Sequence, residues 1–191
     1  MSDPNLVKTF TQLPPPAPIQ QLHHYAYRAK DAEETRHFYE DILGLPLFHI
    51  IQSDIVPSTG EYCPYTHFFF RLQDGSCIAF FDLGDDVAAL PSPNTPLWVT
   101  HISFRVNTVV ELEAMKTRLQ AEGVEVLGIT DHHVFKSIYF FDPNGVRLEL
   151  TAQLASDAHM QKESSTVHAT LAAWTARKQQ WRAERAVAAS V

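Results

Sequence analysis

The stretch Ser137–Thr151, which reads S-I-Y-F-F-D-P-N-G-V-R-L-E-L-T, decides the fold of this 191-residue chain. An apolar run ends at the turn sequence Asp142-Pro143-Asn144-Gly145, and a second run follows in which apolar and polar residues alternate. Proline fixes one backbone angle of a tight turn, and Asn-Gly tolerates the positive φ that such turns need, so the stretch predicts a β-hairpin. Alternation places Glu149 on the polar face of the second strand, where its carboxylate needs a partner such as a cation.

Composition limits the classes of function that the chain can have. With 45% hydrophobic and 19% charged residues, it is typical of a soluble globular protein with one domain or two small modules. A net charge of -7 disfavours nucleic acid as a partner. No apolar run is long enough for a membrane span, and no basic N-terminal region precedes an apolar one, so we expect no membrane partner. Cys63 and Cys77 form neither a metal pair nor a disulfide framework, so we expect a cytoplasmic location.

The same order of elements, strand–helix–strand–strand–strand, is predicted twice along the chain. In both copies a helix begins with a capping residue followed three positions later by Glu. The first copy comprises a strand Leu22–Arg28, a helix capped by Asp31 and ended by Gly44, a strand Leu45–Ile51, a long loop Ser53–Tyr65 and a hairpin His67–Asp82. The second comprises a strand Val99–Val106, a helix capped by Thr108 and ended by Gly123, a strand Val124–Gly128 and the hairpin already described.

Aligning the two hairpins on Gly75 and Gly145 defines the internal repeat. The alignment pairs His67 with Ser137, Phe69 with Tyr139 and Ala79 with Glu149; the first strands match separately, His24 with His101. We therefore predict an α+β fold in which two βαβββ modules form a curved mixed sheet around a metal-binding cup, with a C-terminal helical tail. The predicted segments are a proline-rich N-terminal arm (1–20), a first module (21–83), a linker (84–97), a second module (98–153) and a C-terminal helical extension (154–191).

Strand alternation puts two histidines on the same kind of face as Glu149. His24 shares its face with Ala26 and Arg28, and His101 shares its face with Ser103 and Arg105. Two imidazoles and one carboxylate from three strands form a facial triad, which suits Fe(II) and leaves coordination positions for substrate or oxygen. The same donors also accept Mn(II), Ni(II) or Zn(II). On the same faces, Phe69, Phe81, Ser103 and Arg105 are candidate substrate-binding residues.

Four segments carry a resemblance to a known family. They are L-H-H-Y-A-Y-R-A-K-D (22–31), F-Y-E-D-I-L-G-L-P-L (38–47), T-H-I-S-F-R-V (100–106) and the hairpin 137–150. Together they resemble the vicinal oxygen chelate superfamily, which includes glyoxalase I, type I extradiol dioxygenases, fosfomycin thiol transferases, methylmalonyl-CoA epimerase and bleomycin-binding proteins. The resemblance covers about residues 21–152 and implies His24, His101 and Glu149 as metal ligands. His23 has the opposite parity in the first strand.

The resemblance also separates reaction classes. Glyoxalase I-like members place a fourth ligand where this chain has Ala79, which puts four-ligand lyase and epimerase chemistry in doubt. A three-ligand set is similar to that of extradiol dioxygenases and of fosfomycin thiol transferases. The transferases commonly have Thr where this chain has Ala26, which weakens that alternative. Tyr139 lies ten residues before Glu149, the spacing of an active-site tyrosine that both of these classes share.

The function expected from these features is that of an Fe(II) extradiol-type ring-cleaving dioxygenase acting on a catechol-like small molecule. Tyr139, His133 and His67 are the predicted catalytic residues, with His132 a further acid–base candidate, because uncoordinated histidine titrates near neutral pH. The alternatives are a glyoxalase-like lyase or thiol transferase acting on a small electrophile, and a metal-free drug-binding resistance protein. The proline arm and the tryptophan-bearing tail are consistent with a homodimer.

Overall fold

The computed structural model describes residues 17–188 of the chain. The described residues fall into two compact units that divide between Val87 and Ala88. Most of the predicted proline-rich arm, including Pro4 and Pro14, lies outside the described residues. Each unit has a four-stranded mixed sheet of its own, so the two predicted βαβββ modules and the α+β class are confirmed.

Unit 1 contains a sheet with the strand order β1-β4-β3-β2, in which only β1 and β4 run parallel. As predicted, the Asp31 side chain caps the helix by accepting a hydrogen bond from the Glu34 amide at 2.7 Å. Beyond α1 the chain continues as a π-helical segment, His37–Ile42, whose Tyr39 ring stacks on Phe70 of the sheet at 5.1 Å between centroids. The elements are β1 His24–Ala29, α1 Ala32–Arg36, β2 Leu47–Ile55, β3 Tyr62–Arg71 and β4 Cys77–Asp82.

Unit 2 repeats this arrangement with the order β5-β8-β7-β6 and a parallel pairing of β5 with β8. The predicted capping box is present, because Thr108 and Glu111 each accept a hydrogen bond from the other's backbone amide. Leu112 and Leu119 of α2 are fully buried. The elements are β5 Ile102–Val106, α2 Val109–Ala121, β6 Leu127–Asp131, β7 Phe135–Phe141, β8 Arg147–Gln153, α3 Asp157–Ser164 and α4 Val167–Ala188.

Strand register confirms the internal repeat predicted from the hairpins. Phe69 pairs with Ala79 across β3 and β4, and Tyr139 pairs with Glu149 across β7 and β8. Gly75 and Gly145 occupy the two turns with φ of +87° and +79°, a backbone region that favours glycine. Equivalent positions in the two units can therefore be compared directly.

Several predicted boundaries are wrong. The long loop predicted for Ser53–Tyr65 is shorter, because β2 extends to Ile55 and pairs with Tyr62 at the start of β3. The strand predicted for Val124–Gly128 begins at Leu127 and continues to Asp131. The strand predicted from Val99 begins at Ile102, so His101 directly precedes β5. In each case, pairing with a neighbouring strand sets the boundary more than the apolar pattern of the segment itself.

The C-terminal region folds into α3 and α4, as the predicted helical tail requires. Neither helix contains a buried residue, and the indole rings of Trp174 and Trp181 contact each other edge to face at 5.5 Å. Within residues 17–188, no helix is both long and apolar enough to cross a lipid bilayer.

Candidate active site

The parallel pairing of β5 with β8 brings the side chains of His101 and Glu149 close together in unit 2. Ser103 pairs with Glu149, and Ile102 pairs with Leu148, so His101 enters the sheet beside the residues that precede Glu149. The Nε2 atom of His101 lies 3.3 Å from Oε2 of Glu149. The Glu149 side chain is only 6% exposed, whereas that of His101 is 31% exposed. A buried carboxylate thus meets an imidazole that remains accessible.

The other nitrogen of His101 determines how this imidazole can act. Its Nδ1 lies 3.1 Å from the backbone oxygen of Val99, which can only accept a hydrogen bond. Nδ1 must therefore carry the proton in this contact, and in the neutral ring Nε2 keeps its lone pair on the side of Glu149. A backbone carbonyl that orients a histidine in this way is the usual support for a metal-ligating imidazole.

Several hydroxyl groups keep Glu149 ionised despite its burial. Burial alone raises the pKa of this carboxyl, but hydrogen bonds from Ser137, Tyr139 and Ser103, together with the positive charge that His101 carries when it is protonated, outweigh it and lower the pKa below its ordinary value. The two serine hydroxyls are themselves held by Thr151, whose Oγ1 lies 2.9 Å from each. At neutral pH the site therefore presents a carboxylate, the form that binds a cation.

Tyr139 connects Glu149 with a second histidine. Its hydroxyl donates a hydrogen bond to Glu149. Burial is the larger cause, and this hydrogen bond the smaller one, by which the pKa of the Tyr139 phenol is raised. The Nε2 atom of His132 lies 2.8 Å from the same hydroxyl oxygen. Glu149, Tyr139 and His132 thus form a continuous hydrogen-bonded chain that reaches the exposed loop after β6.

These groups face one open pocket of about 450 Å³ within unit 2. The guanidinium of Arg147 lies 4.4 Å above the Tyr139 ring and donates a hydrogen bond of 2.7 Å to the backbone oxygen of Trp98. The pocket therefore combines aromatic walls, one permanent cation and the His101–Glu149 pair. Its lining consists of Trp98, His101, His132, Phe135, Tyr139, Arg147 and Glu149.

In unit 1, His24 lies on a face rich in histidine and phenylalanine. Its ring centroid lies 5.9 Å from that of His67 and 5.4 Å from that of Phe69. His67 is buried, places Nδ1 2.9 Å from the backbone oxygen of Phe80, and stacks on Phe81 at 3.7 Å with nearly parallel rings. Burial lowers the pKa of His67. The nearby His24 and His49 act in the same direction, whereas the contact with the Phe80 oxygen opposes the shift.

Two of the predicted site residues lie apart from these clusters. His133 has a positive φ of +68°, and its backbone amide donates to the Asp131 side chain at 2.7 Å; it does not line the pocket of unit 2. Arg105 is exposed on β5 and does not line the pocket either. The pocket contains three residues that the sequence did not select as site residues: Trp98, Phe135 and Arg147. Arg147 could have been selected from the sequence, because it lies two residues before Glu149 and therefore on the same face of β8.

The donor set of unit 2 fits two adjacent ligands of a divalent metal. A metal about 2.1 Å from a histidine nitrogen and from a carboxylate oxygen, at an angle near 90°, places these two atoms about 3 Å apart. The separation of 3.3 Å between His101 and Glu149 agrees with that value. Over residues 17–188, no group of three or more His, Cys, Asp or Glu side chains is arranged to hold a metal ion. The observed geometry therefore fits two metal ligands, His101 and Glu149.

The family can be assigned from the sequence as a whole. A model of the glyoxalase/bleomycin resistance protein/dioxygenase superfamily matches residues 21–150, which is more than half of the chain. The chain belongs to this superfamily. The superfamily takes small molecules as ligands or substrates and includes both dioxygenases and lyases, so membership does not determine one reaction.

Solved structures agree with the superfamily fold. A glyoxylase/bleomycin resistance protein/dioxygenase domain from Frankia sp. EAN1pec is 16% identical, with a TM-score of 0.58 over 72% of this chain and 100% of that one. The fosfomycin resistance protein FosX from Listeria monocytogenes, solved with Mn(II) and 1S,2S-dihydroxypropylphosphonic acid, is 22% identical, with a TM-score of 0.52 over 75% of this chain and 98% of that one. At these identities the likeness concerns the fold.

One curated relative names a reaction. The protein "Putative ring-cleaving dioxygenase MhqA" of Bacillus subtilis strain 168 is 38% identical over 53 residues. The matched stretch spans 28% of this chain and 17% of the Bacillus protein. The similarity is therefore local.

Proposed function

We propose that this protein is a metal-dependent enzyme of the vicinal oxygen chelate type, an Fe(II) extradiol-type dioxygenase that cleaves the ring of a catechol-like small molecule. The contact between His101 Nε2 and Glu149 Oε2 at 3.3 Å carries the proposal, because it presents two ligand atoms at the spacing of one metal inside an open, aromatic-walled pocket. The local similarity to a ring-cleaving dioxygenase supports the same reaction class.

His101 and Glu149 would hold the metal together with His24, which we propose as the third ligand. When bound, Fe(II) supplies a Lewis acid for the two neighbouring oxygens of the substrate and a means of activating O₂. Ala79, which occupies the position of Glu149 in the first module, has no donor atom, which favours three protein ligands over four. The serines and Thr151 keep Glu149 ionised and oriented for this role.

Tyr139 and His132 are the residues that we expect to move protons. A catechol must lose hydroxyl protons before its oxygens become good metal ligands, and the Tyr139 hydroxyl lies between Glu149 and His132 in one hydrogen-bonded chain. Exposed His132 can exchange a proton with solvent, whereas buried Glu149 cannot do so directly. Phe69 and Phe81 of the first module are proposed to add an apolar wall for the substrate ring, and His67, whose ring lies against both, is proposed as a further acid–base residue.

Metal identity tests this proposal most directly. The protein is purified without air, its metal content is determined, and it is then incubated in air with a panel of catechols while the yellow ring-cleavage product is followed. We expect Fe(II) to support turnover and Glu149→Gln to abolish it. Absence of turnover with Fe(II), Mn(II), Ni(II) and Zn(II) contradicts the proposal. Turnover that requires glutathione instead identifies a thiol transferase.

A metal-free binding protein is the second candidate. The contact between His101 and Glu149 favours it as well, because His101, when it is protonated, pairs with the carboxylate without a metal. Such a protein retains tight binding of an aromatic ligand after treatment with a chelator, and addition of Fe(II) does not produce turnover. The metal-dependent enzyme loses its catechol binding under the same treatment.

The exposed tail is proposed to contribute to a homodimer. Leu171 and Trp174 of α4 are 62% and 46% exposed, and covering them removes apolar surface from water. Light scattering of the full-length chain measures the molar mass, and a monomeric mass contradicts this part of the proposal.

A further inference from the structure

The pocket of unit 2 contains one permanently charged cation, the guanidinium of Arg147, at a place where a substrate substituent can reach it. Arginine does not lose its proton in proteins, so this charge persists at every working pH. The guanidinium is fixed from two directions, by the ring of Tyr139 at 4.4 Å and by the backbone oxygen of Trp98 at 2.7 Å. A side chain that is already ordered loses little conformational entropy when it binds an anion.

The hydrogen-bonding capacity of Arg147 exceeds what these contacts use. A guanidinium has five N–H donors, and the contact with Trp98 occupies one of them. The half-buried side chain lines the same pocket as His101 and Glu149. The remaining donors match a carboxylate, which accepts two parallel hydrogen bonds from arginine.

Spacing along β8 relates this cation to the proposed metal ligands. Arg147 and Glu149 are two residues apart on one face of the strand, so their backbone positions are roughly 6.7 Å apart. That distance is comparable with the span of a substituted benzene ring. Trp98 and Phe135 supply flat apolar surface in the same pocket.

We infer that Arg147 is a specificity-determining residue, and that the substrate is an aromatic diol with an anionic substituent, such as a carboxylate, at the end of the ring remote from the hydroxyl groups. This inference rests on the proposed function for the diol but not for the anion. The acidic character of the protein as a whole strengthens it. With a net charge of -7, the surface does not attract anions in general, so selectivity for an acid requires a local cation.

The test compares two ligands of the same shape that differ in charge: 3,4-dihydroxybenzoate and 3,4-dihydroxybenzamide. Binding is measured by calorimetry without air, so that no turnover contributes. We expect the wild type to bind the acid at least about tenfold more tightly than the amide, because charge-assisted hydrogen bonds are stronger than neutral ones. Arg147→Gln removes this preference and changes the affinity for the amide less than about threefold. Arg147→Lys keeps part of the preference.

Arg177→Gln serves as the matched control. Arg177 also lies over an aromatic ring, that of Trp181 at 4.6 Å, but belongs to α4 and does not line the pocket. Its loss leaves the preference unchanged, and thermal unfolding shows whether each variant is folded. If Arg147→Gln does not fold, the wild type and Arg147→Lys decide by the same criterion.

Three results overturn the inference: a wild type that binds neither compound or prefers neither, an Arg147→Gln variant that keeps the preference, and a variant that weakens both ligands equally. The last result assigns Arg147 a purely structural role. Failure of the dioxygenase proposal looks different, because the preference for the acid persists while no ring cleavage occurs. Conversely, ring cleavage without any preference for the acid supports the dioxygenase and contradicts the anion subsite.

Discussion

At the scale of single residues, the hydroxyl of Tyr139 is the most informative atom of the candidate site. It contacts both Glu149 and His132, and so connects the buried carboxylate with the exposed imidazole. We expect Tyr139→Phe to lower kcat for catechol cleavage by about a hundredfold to ten-thousandfold, which is the usual contribution of a positioned acid or base. Steady-state kinetics on protein of known metal content measures this effect.

The control for this prediction is Tyr62→Phe, which removes an equivalent hydroxyl from a side chain that is 72% exposed on β3. We expect it to leave both kcat and metal content unchanged. If Tyr139→Phe loses metal as well as activity, the hydroxyl acts by positioning Glu149. If it loses neither, Tyr139 has no part in proton transfer.

Sequence patterns located some of these residues and missed others for a physical reason. Glu149 and Tyr139 lie in strands, where period-two alternation determines the face of each side chain. His132 and His133 lie in the loop after β6, where no period exists, and the structure gives His132 the contact with Tyr139 and turns His133 to a positive φ. The two histidines are neighbours in the same loop, so the backbone path of this loop determines which of them contacts Tyr139.

At the scale of elements, the turn between β7 and β8 sets the register that pairs Tyr139 with Glu149. Gly145 has a φ of +79°, and an added Cβ would meet no heavy atom within 4 Å. Gly145→Ala therefore introduces backbone strain without a clash, and we expect it to lower the free energy of unfolding by about 1 kcal/mol. Gly145→Asn should cost less, because asparagine tolerates this backbone region better. Urea unfolding of both variants measures the difference, and equal costs would contradict this explanation.

The equivalent turn of unit 1 gives a prediction about pH. The hydroxyl and the backbone amide of Ser76 both donate hydrogen bonds to Asp74. The hydroxyl has the larger effect, and together they lower the pKa of this carboxyl from its ordinary value of 3.8. Because the pKa is lower in the folded state, the stabilising contribution is present above pH 3.8 and is lost as the pH falls through the folded-state pKa. The stability difference between wild type and Asp74→Asn should therefore shrink on acidification below about pH 4.

Urea unfolding at a series of pH values measures this difference. Asp54→Asn, on exposed β2, provides the control for loss of a surface carboxylate. A difference between wild type and Asp74→Asn that stays constant with pH would show that the Asp74 contacts do not depend on its ionisation.

Local chemistry explains which element boundaries could be predicted. Asp31 and Thr108 cap their helices through contacts within four residues, so the sequence contains the whole signal. The end of β2 at Ile55 depends on pairing with Tyr62, and the π-helical segment closes through a hydrogen bond of 2.9 Å from the Leu43 amide to the Phe38 oxygen. The end of β2 thus depends on pairing with another strand of unit 1, which a local pattern does not contain, and Tyr39 of the π-helical segment stacks on Phe70 of β3.

At the scale of the whole molecule, the internal repeat transfers information from one module to the other. The register that pairs His24 with Cys77 in β1 and β4 places His24 at the position that His101 occupies in unit 2. The repeat therefore predicts the proposed third ligand, whereas nothing within residues 17–188 groups three donors around one point. The third ligand stays a prediction that solution experiments must test.

Thermal unfolding with added metal tests whether both modules contribute ligands. A ligand that binds only the folded state at a hundred times its Kd stabilises it by about 2.7 kcal/mol. For a chain of this length, that corresponds to a rise in Tm of about 5–10 °C. We expect Fe(II), added without air, to raise the Tm of the wild type by this amount, and His24→Ala to lose the rise as completely as Glu149→Ala does.

His23→Ala is the matched control, because it removes the neighbouring imidazole, whose Nδ1 lies 2.7 Å from that of His24. A contact of this kind orients a ligand, so its loss should weaken metal binding by about tenfold and leave about half of the rise. If His24→Ala keeps the full rise while Glu149→Ala loses it, the metal belongs to the second module alone.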